Sequence, residues 1–317
     1  MLSGLLSQTA RGARAIAAPK RKPASVQVKA RRVDFQFDAS LPRYWYLDDP
    51  FLTHFMQALS ITFPEGERMF MDAVRAVRER VQDAETRSDI VGFMGQEALH
   101  SRAHEALNEH LERIGYPAAR LEQGIRENIA GNRPLHTKQS LLALTCALEH
   151  ITAIMGHHLL SRPALQAHMH PAIRDLWIWH AVEETEHKAV AFDVYQEVYG
   201  DYRTRAKWLL LSTLGLCTSV SVLQYYLLRR DRLADKPGVW LKGLWKLWGP
   251  GGLLLPLVPA WLAYFKPDFH PWDIDDSALI ERYRQRFDQY VVGTPRAEVA
   301  APYTKKSGKS ALPGVTE

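Results

Sequence analysis

Two stretches of the sequence set a carboxylate and an imidazole three residues apart inside an otherwise apolar stripe. In the first, Phe93, Glu97, His100, His104, Leu107 and Leu111 follow at steps of three and four, the spacing that keeps residues on one helix face. In the second, Ile173, Trp177, His180, Glu184, His187, Ala191 and Val194 do the same. Each stripe is apolar at its ends and ionisable at its centre. Burying such groups is unfavourable without a partner, and a metal ion supplies one. A lone Glu-x-x-His on a helix is ordinarily a solvated pair. Two of them, each centred in a core-facing stripe, are not explained that way.

Two further glutamates complete a set. Glu149 shares a face with Leu142, Thr145 and Thr152. At ~100° per residue, Glu67 falls within about 40° of the direction defined by Phe63, Phe70, Val74, Val77 and Val81, whereas Glu65 points away. Glu67, Glu97, His100, Glu149, Glu184 and His187 thus give the donor set of the ferritin-like dinuclear carboxylate bundles. Two divalent ions need carboxylates for charge balance and bridging and an imidazole each, and the carboxylate-rich mix suits iron or manganese ahead of zinc. His104 and His180 are each either a third imidazole ligand or an outer imidazole that orients one, with His104 favoured for ligation. Glu183 joins the set only if its helix is irregular. Glu186, His150, His157 and His158 are expected in solvent or on helix flanks.

Four helical segments must position these groups. Apolar residues at i, i+3, i+4 and i+7 place them at about 64–82, 88–114, 135–160 and 171–199, joined by links such as Gly115-Tyr116-Pro117 and Gly131-Asn132-Arg133-Pro134. No run of alternating strands and no fixed-period repeat interrupts them, so the expectation is all-α, a four-helix bundle over 33–200. Val33 to Pro50 reads as an extended arm across it. Beyond the bundle, Leu209–Leu228 and Leu247–Phe265 are uncharged runs, each about long enough to cross a hydrocarbon core of roughly 30 Å. They predict a hydrophobic helical hairpin which, with a polar helix over Asp275–Val292, fills 201–294. The link 229–246 carries six Lys/Arg against two Asp. Keeping it on the cytoplasmic side with the bundle favours a re-entrant or interfacial hairpin over a spanning one.

Composition narrows the classes further. The 317 residues are 46% hydrophobic and 24% charged, with a net charge of +5. Eight of the positive charges, Arg11 to Arg32, lie in the first 33 residues with no acid among them, which leaves the remainder at −3. Residues 1–32 therefore read as a solvated basic leader, acid-free like a targeting peptide or drawn to anionic lipid. The folded part offers no basic face for nucleic acid. Residues 295–317 read as a loose tail. Cys146 and Cys217 are too few for a disulfide scaffold or a cysteine–zinc cluster, and both are expected as buried thiols.

The segments Phe63-Pro64-Glu65-Gly66-Glu67, Gly95-Gln96-Glu97-Ala98-Leu99-His100, Leu148-Glu149-His150-Ile151-Thr152 and Trp179-His180-Ala181-Val182-Glu183-Glu184-Thr185-Glu186-His187 resemble a bacterial family of predicted metal-dependent hydrolases. So does Tyr264-Phe265-Lys266-Pro267-Asp268-Phe269-His270-Pro271-Trp272. The resemblance covers about 33–294 and implies a metal and a hydrolytic reaction. The donor set itself favours a di-iron enzyme that oxidises a lipophilic substrate with an electron donor. Two-metal hydrolysis, supported by the additional His104 and His180, and non-catalytic iron binding stand beside it. A membrane surface and a second copy of the chain are the expected macromolecular contacts.

Overall fold

The computed structural model describes residues 21–293. Arg11, Arg14 and Lys20 of the leader, and the tail from 295, lie outside the described residues. Within them the chain is all-α, with no β-strand. Helices run over Pro50–Arg75 (α1), Ala84–Arg113 (α2), Ala118–Asn132 (α3), Lys138–Ser161 (α4), Pro163–Ala167 (α5), Pro171–His187 (α6), Val190–Val198 (α7), Tyr202–Arg230 (α8), Pro237–Trp248 (α9), Val258–Ala263 (α10) and Ser277–Arg284 (α11). The four that carry the donors close a circuit: α1 packs on α2, α2 on α6, α6 on α4 and α4 on α1. Helix α8 lies outside, against α1 and α4.

Helix α1 starts fourteen residues before the expected Pro64, which sits inside it. Asp49 caps its N-terminus by accepting from the Leu52 N–H at 2.8 Å, and Pro50 occupies the first turn, where a missing N–H does no harm. Every residue from Phe51 to Ile61 is buried. A helix enclosed on all sides shows no polar face, so periodicity could not reveal it. Helix α3, in what read as a link, was likewise missed. The expected helix 171–199 is broken after His187, where Lys188 and Ala189 separate α6 from α7. Lys188 is buried there, donating to Asp276 Oδ2 at 2.6 Å and lying over the Trp272 ring.

The leader is not wholly solvated. Arg31, Val33, Phe35 and Phe37 are buried in alternation with exposed Arg32, Asp34, Gln36 and Asp38, the two-residue period of extended backbone. This strap crosses α2 at Gly92 and Gly95. A Cβ on Gly92 would lie 2.1 Å from the Val28 carbonyl oxygen, and one on Gly95 2.9 Å from Ala30 Cβ. Only glycine lets the strap approach this closely.

The C-terminal third departs from two continuous apolar helices. The first run is helical throughout as α8. The second is broken into the end of α9, a 3-10 turn at Leu255–Leu257 and the short α10, as Pro250, Pro256 and Pro259 require. The expected polar helix shortens to α11. Cys146 is buried, but Cys217, on the outer side of α8, is exposed.

Candidate metal centre

Glu67 on α1, Glu97 and His100 on α2, Glu149 on α4, and His180, Glu184 and His187 on α6 meet at the centre of the helical circuit, all buried. Two groups of donors lie close enough to hold a metal ion each: Glu67, His100 and His180, and Glu97, Glu184 and His187, with the ligand atoms of each group within 4.8 Å of one another. Glu184 Oε1 joins them, 3.5 Å from His100 Nδ1, 3.0 Å from His180 Nε2 and 3.5 Å from His187 Nε2. Glu149 Oε2 lies 3.2 Å from His187 Nε2.

The three imidazoles are each oriented from behind. His100 Nε2 lies 3.1 Å from Glu183 Oε2, so it donates there and leaves its Nδ1 lone pair facing Glu184. His187 Nδ1 is 2.9 Å from Gln96 Oε1. The Gln96 amide nitrogen donates to Glu186 and to the Lys29 carbonyl, which fixes Oε1 as an acceptor and His187 Nδ1 as the donor. His180 is set by a longer chain. Asn108 Nδ2 donates to Glu122, so Asn108 Oδ1 accepts the Ser60 hydroxyl hydrogen. Ser60 Oγ must then accept from His104 Nδ1 at 2.9 Å, and His104 Nε2 must accept from His180 Nδ1 at 2.7 Å. The free lone pair of His180 therefore sits on Nε2, among the carboxylates. Outer partners that fix the tautomer and ring orientation of an imidazole are the usual companions of a metal-ligating histidine.

This reverses the expected order of the two additional histidines: His180 faces the centre and His104 stands behind it. One other expectation needs correction: Glu186, His150 and His158 are buried rather than solvated. On α4, His150 is covered by α10, its Nε2 3.1 Å from the Ala260 carbonyl oxygen. Glu183 lies in the regular part of α6 and meets the outer nitrogen of His100 instead of the centre. For Glu183 and Glu186 the cause is that α6 is enclosed: every residue from Asp175 to Phe192 is buried. A polar residue on its far flank meets another buried group, not water. That group is Arg31 of the strap. Its guanidinium donates to both Glu186 oxygens at 2.8 Å and to Glu183 Oε1 at 3.3 Å, and its backbone N–H reaches Glu183 Oε1 at 3.0 Å. Arg31, like Gln96, Ser60 and Asn108 among the outer partners, gives no signal in helical spacing. His157 pairs with Asp276 at 2.6 Å, half-exposed.

The electrostatics ask for positive charge. Burial, with Glu184, Glu149 and one another as neighbours, raises Glu67 and Glu97 well above the usual carboxylate range. Burial pushes Glu149 up to about 7. Glu184 goes the other way: burial opposes its ionisation, but the neighbouring His187, with His100 and His180 also in contact, holds it well below the usual range. His187 is raised in spite of its burial, because Glu184 and Glu149 flank it. Burial and His100 bring His180 down to about 4. Glu67 Oε1, both oxygens of Glu97 and of Glu149, Glu184 Oε2, His100 Nδ1 and His187 Nε2 are buried without a hydrogen-bond partner. So many unsatisfied acceptors in one place are not tolerated in a finished core. They cluster in and beside the two donor groups, and a pair of divalent cations is the partner their chemistry fits.

Comparison with known proteins agrees with this chemistry. No curated protein and no solved structure matches the chain. One family profile, described as predicted metal-dependent hydrolase, matches residues 29–275, a span that includes the strap, all seven central donors and their outer partners. The chain thus belongs to the family of predicted metal-dependent hydrolases.

Proposed function

We propose that this protein is a hydrolase with a dinuclear metal centre held by Glu67, Glu97, His100, Glu149, His180, Glu184 and His187. The observation that carries the reading is the third imidazole. His180, with its tautomer set by the chain through His104, Ser60 and Asn108, gives the centre a third imidazole beside His100 and His187, a histidine content that suits water activation better than a site with one imidazole per metal. Two bound divalent ions would supply a water of lowered pKa and polarise the scissile carbonyl or phosphoryl group. The residues do the rest. Glu184 contacts all three imidazoles and is placed to bridge; Glu149 and Glu97 crowd His187; Glu67, hydrogen-bonded by Ser101 at 2.9 Å, keeps one oxygen for the centre. Two apolar cavities end at Glu184, so the substrate carries an apolar body.

A second reading rests on the four carboxylates, which suit iron: oxidation of a lipophilic substrate with an external electron donor. The two readings part in one experiment. Protein extracted in detergent is analysed for metals, then assayed against ester and phosphoester panels under anaerobic conditions without reductant, and for oxygen uptake after anaerobic iron(II) loading. Turnover without oxygen supports hydrolysis. Rapid oxygen uptake with two irons per chain and no anaerobic turnover overturns it in favour of oxidation.

The same reading puts the protein at the cytoplasmic face of a membrane. Helix α8 is long and apolar enough to cross a bilayer, and only 22% of its most apolar window is buried. Leu210, Leu214 and Val222 on α8 and Leu241, Leu244, Trp245 and Trp248 on α9 are exposed, beside exposed Arg229, Lys236 and Lys242. An apolar face fringed with positive charge suits the surface of an anionic bilayer.

A further inference from the structure

The two cavities at Glu184 are separated from each other by little. The larger, about 250 Å³, lies between α1, α3, α4 and α8 and has Glu67 and Glu184 in its wall. The smaller, about 80 Å³, runs from His180 and Glu184 toward Trp177 and the turn at Leu253–Leu257. Phe63, Thr152, Met155 and Glu184 line both, so the centre's carboxylate stands where they meet. Where the larger cavity borders α8, its wall combines Trp208, Leu211 and Leu216 with Ser212, Gly215 and Ser219, the last three being small residues spaced along one face. A Cβ added at Gly215 would meet nothing within 4 Å. Gly66 on the opposite wall is the same. Leu211, also in the wall, is exposed, so the cavity opens toward the outer apolar side of α8.

We infer that these cavities form one channel for a long acyl chain, which enters beside Gly215 and places its ester carbonyl between Glu67 and Glu184. The substrate class is an ester of a long-chain fatty acid, and the assignment rests on the hydrolytic reading above. The width left by Ser212, Gly215 and Ser219 admits a methylene chain; the apolar side chains of the wall hold it by burial; Arg133 and His136 border the cavity at the α3–α4 link, and Glu67 and Glu184 are its carboxylates. The smaller cavity takes the apolar part beyond the scissile bond, against Trp177.

Binding of two hydroxamates to the metal-loaded full-length protein tests this apart from turnover, because the head group reads the metals and the tail reads the channel. Palmitoyl hydroxamate is expected to bind at least about a hundredfold more tightly than acetohydroxamate, since every buried methylene adds to affinity. Gly215→Leu fills the entrance with a better helix former than glycine, and should reduce that advantage to under about tenfold while leaving acetohydroxamate binding unchanged. Gly124→Leu, an exposed glycine on α3 with equally open space, should keep the full advantage. Equal binding of the two hydroxamates, or an undiminished advantage in Gly215→Leu, overturns the channel. If acetohydroxamate fails to bind, the metal reading falls instead. Palmitate titrated into the metal-free protein then decides: binding lost in Gly215→Leu upholds the channel, and absence of binding overturns it.

Discussion

At the residue scale, the centre depends on groups that never touch it. Glu183 and Glu186 are buried carboxylates pushed up to about 8 and about 7 by burial, even with Arg31 beside them. Glu183 holds His100, and Glu186 holds the Gln96 amide that in turn fixes His187. Arg31 thus neutralises the two carboxylates that orient two of the three imidazoles. Arg31→Met leaves both without their cation, and we expect it to destabilise the protein by about 3–5 kcal/mol and to weaken metal binding at the same time. Arg31→Lys keeps the charge but not the two-pronged contact, and should fall between. Chemical denaturation and metal titration check both; an Arg31→Met protein as stable as the parent would show that the strap contributes nothing.

At the element scale, the same composition can build a core helix or an outer one, and only packing distinguishes them. Helix α6 is sealed from Asp175 onward and carries three of the seven candidate donors; α8, with its long uncharged run, turns much of that apolar surface outward. The membrane face is tested by reversing it. The wild-type chain is expected to co-sediment with vesicles containing phosphatidylserine, and Leu214→Glu with Trp245→Glu, both exposed positions, should cut the bound fraction by about tenfold or more, as loss of two buried apolar groups implies. Neither side chain lines a cavity, so metal content should not change. A wild-type protein that ignores the vesicles would remove the membrane from this account.

At the scale of the whole molecule, the buried carboxylates tie stability to pH and metal. Glu149, Glu183 and Glu186 have folded-state values of about 7 to about 8 against an ordinary value of 4.5. These groups therefore hold protons in the folded metal-free chain that the unfolded one has released, and the stability they contribute is fullest below 4.5 and declines as pH rises through about 8. The buried imidazoles of His150, His158 and His180, brought down to about 4, act the other way below about 6.5. Metal binding requires the donors deprotonated, so its contribution runs the opposite way. Thermal melts from about pH 6.5 to pH 8, above the range in which the buried histidines titrate, should show the metal-free protein losing stability and the shift on adding manganese or zinc growing. A metal-induced shift independent of pH would mean that the buried carboxylates are not the ligands.

The all-α character of the chain and the residue types that gather are legible in the helical spacing alone. Glu97 and His100 inside their apolar stripe, and Glu67 and Glu149 on core-facing sides, are readable because a partly exposed helix writes its orientation into its spacing, while Glu184 and His187 are readable because they repeat the same pair of residue types at the same spacing. Where a helix is enclosed, that record vanishes. From Phe51 to Ile61 and from Asp175 to Phe192 there is no solvent face to set the phase, so the start of α1, the burial of Glu183 and Glu186, and the order of His104 and His180 were decided only by what packs against them. Arg31 lay further still from view. Its role comes from a strap more than 150 residues away in sequence, brought over α2 where Gly92 and Gly95 leave room, and no local pattern encodes a contact that two distant segments make only once folded.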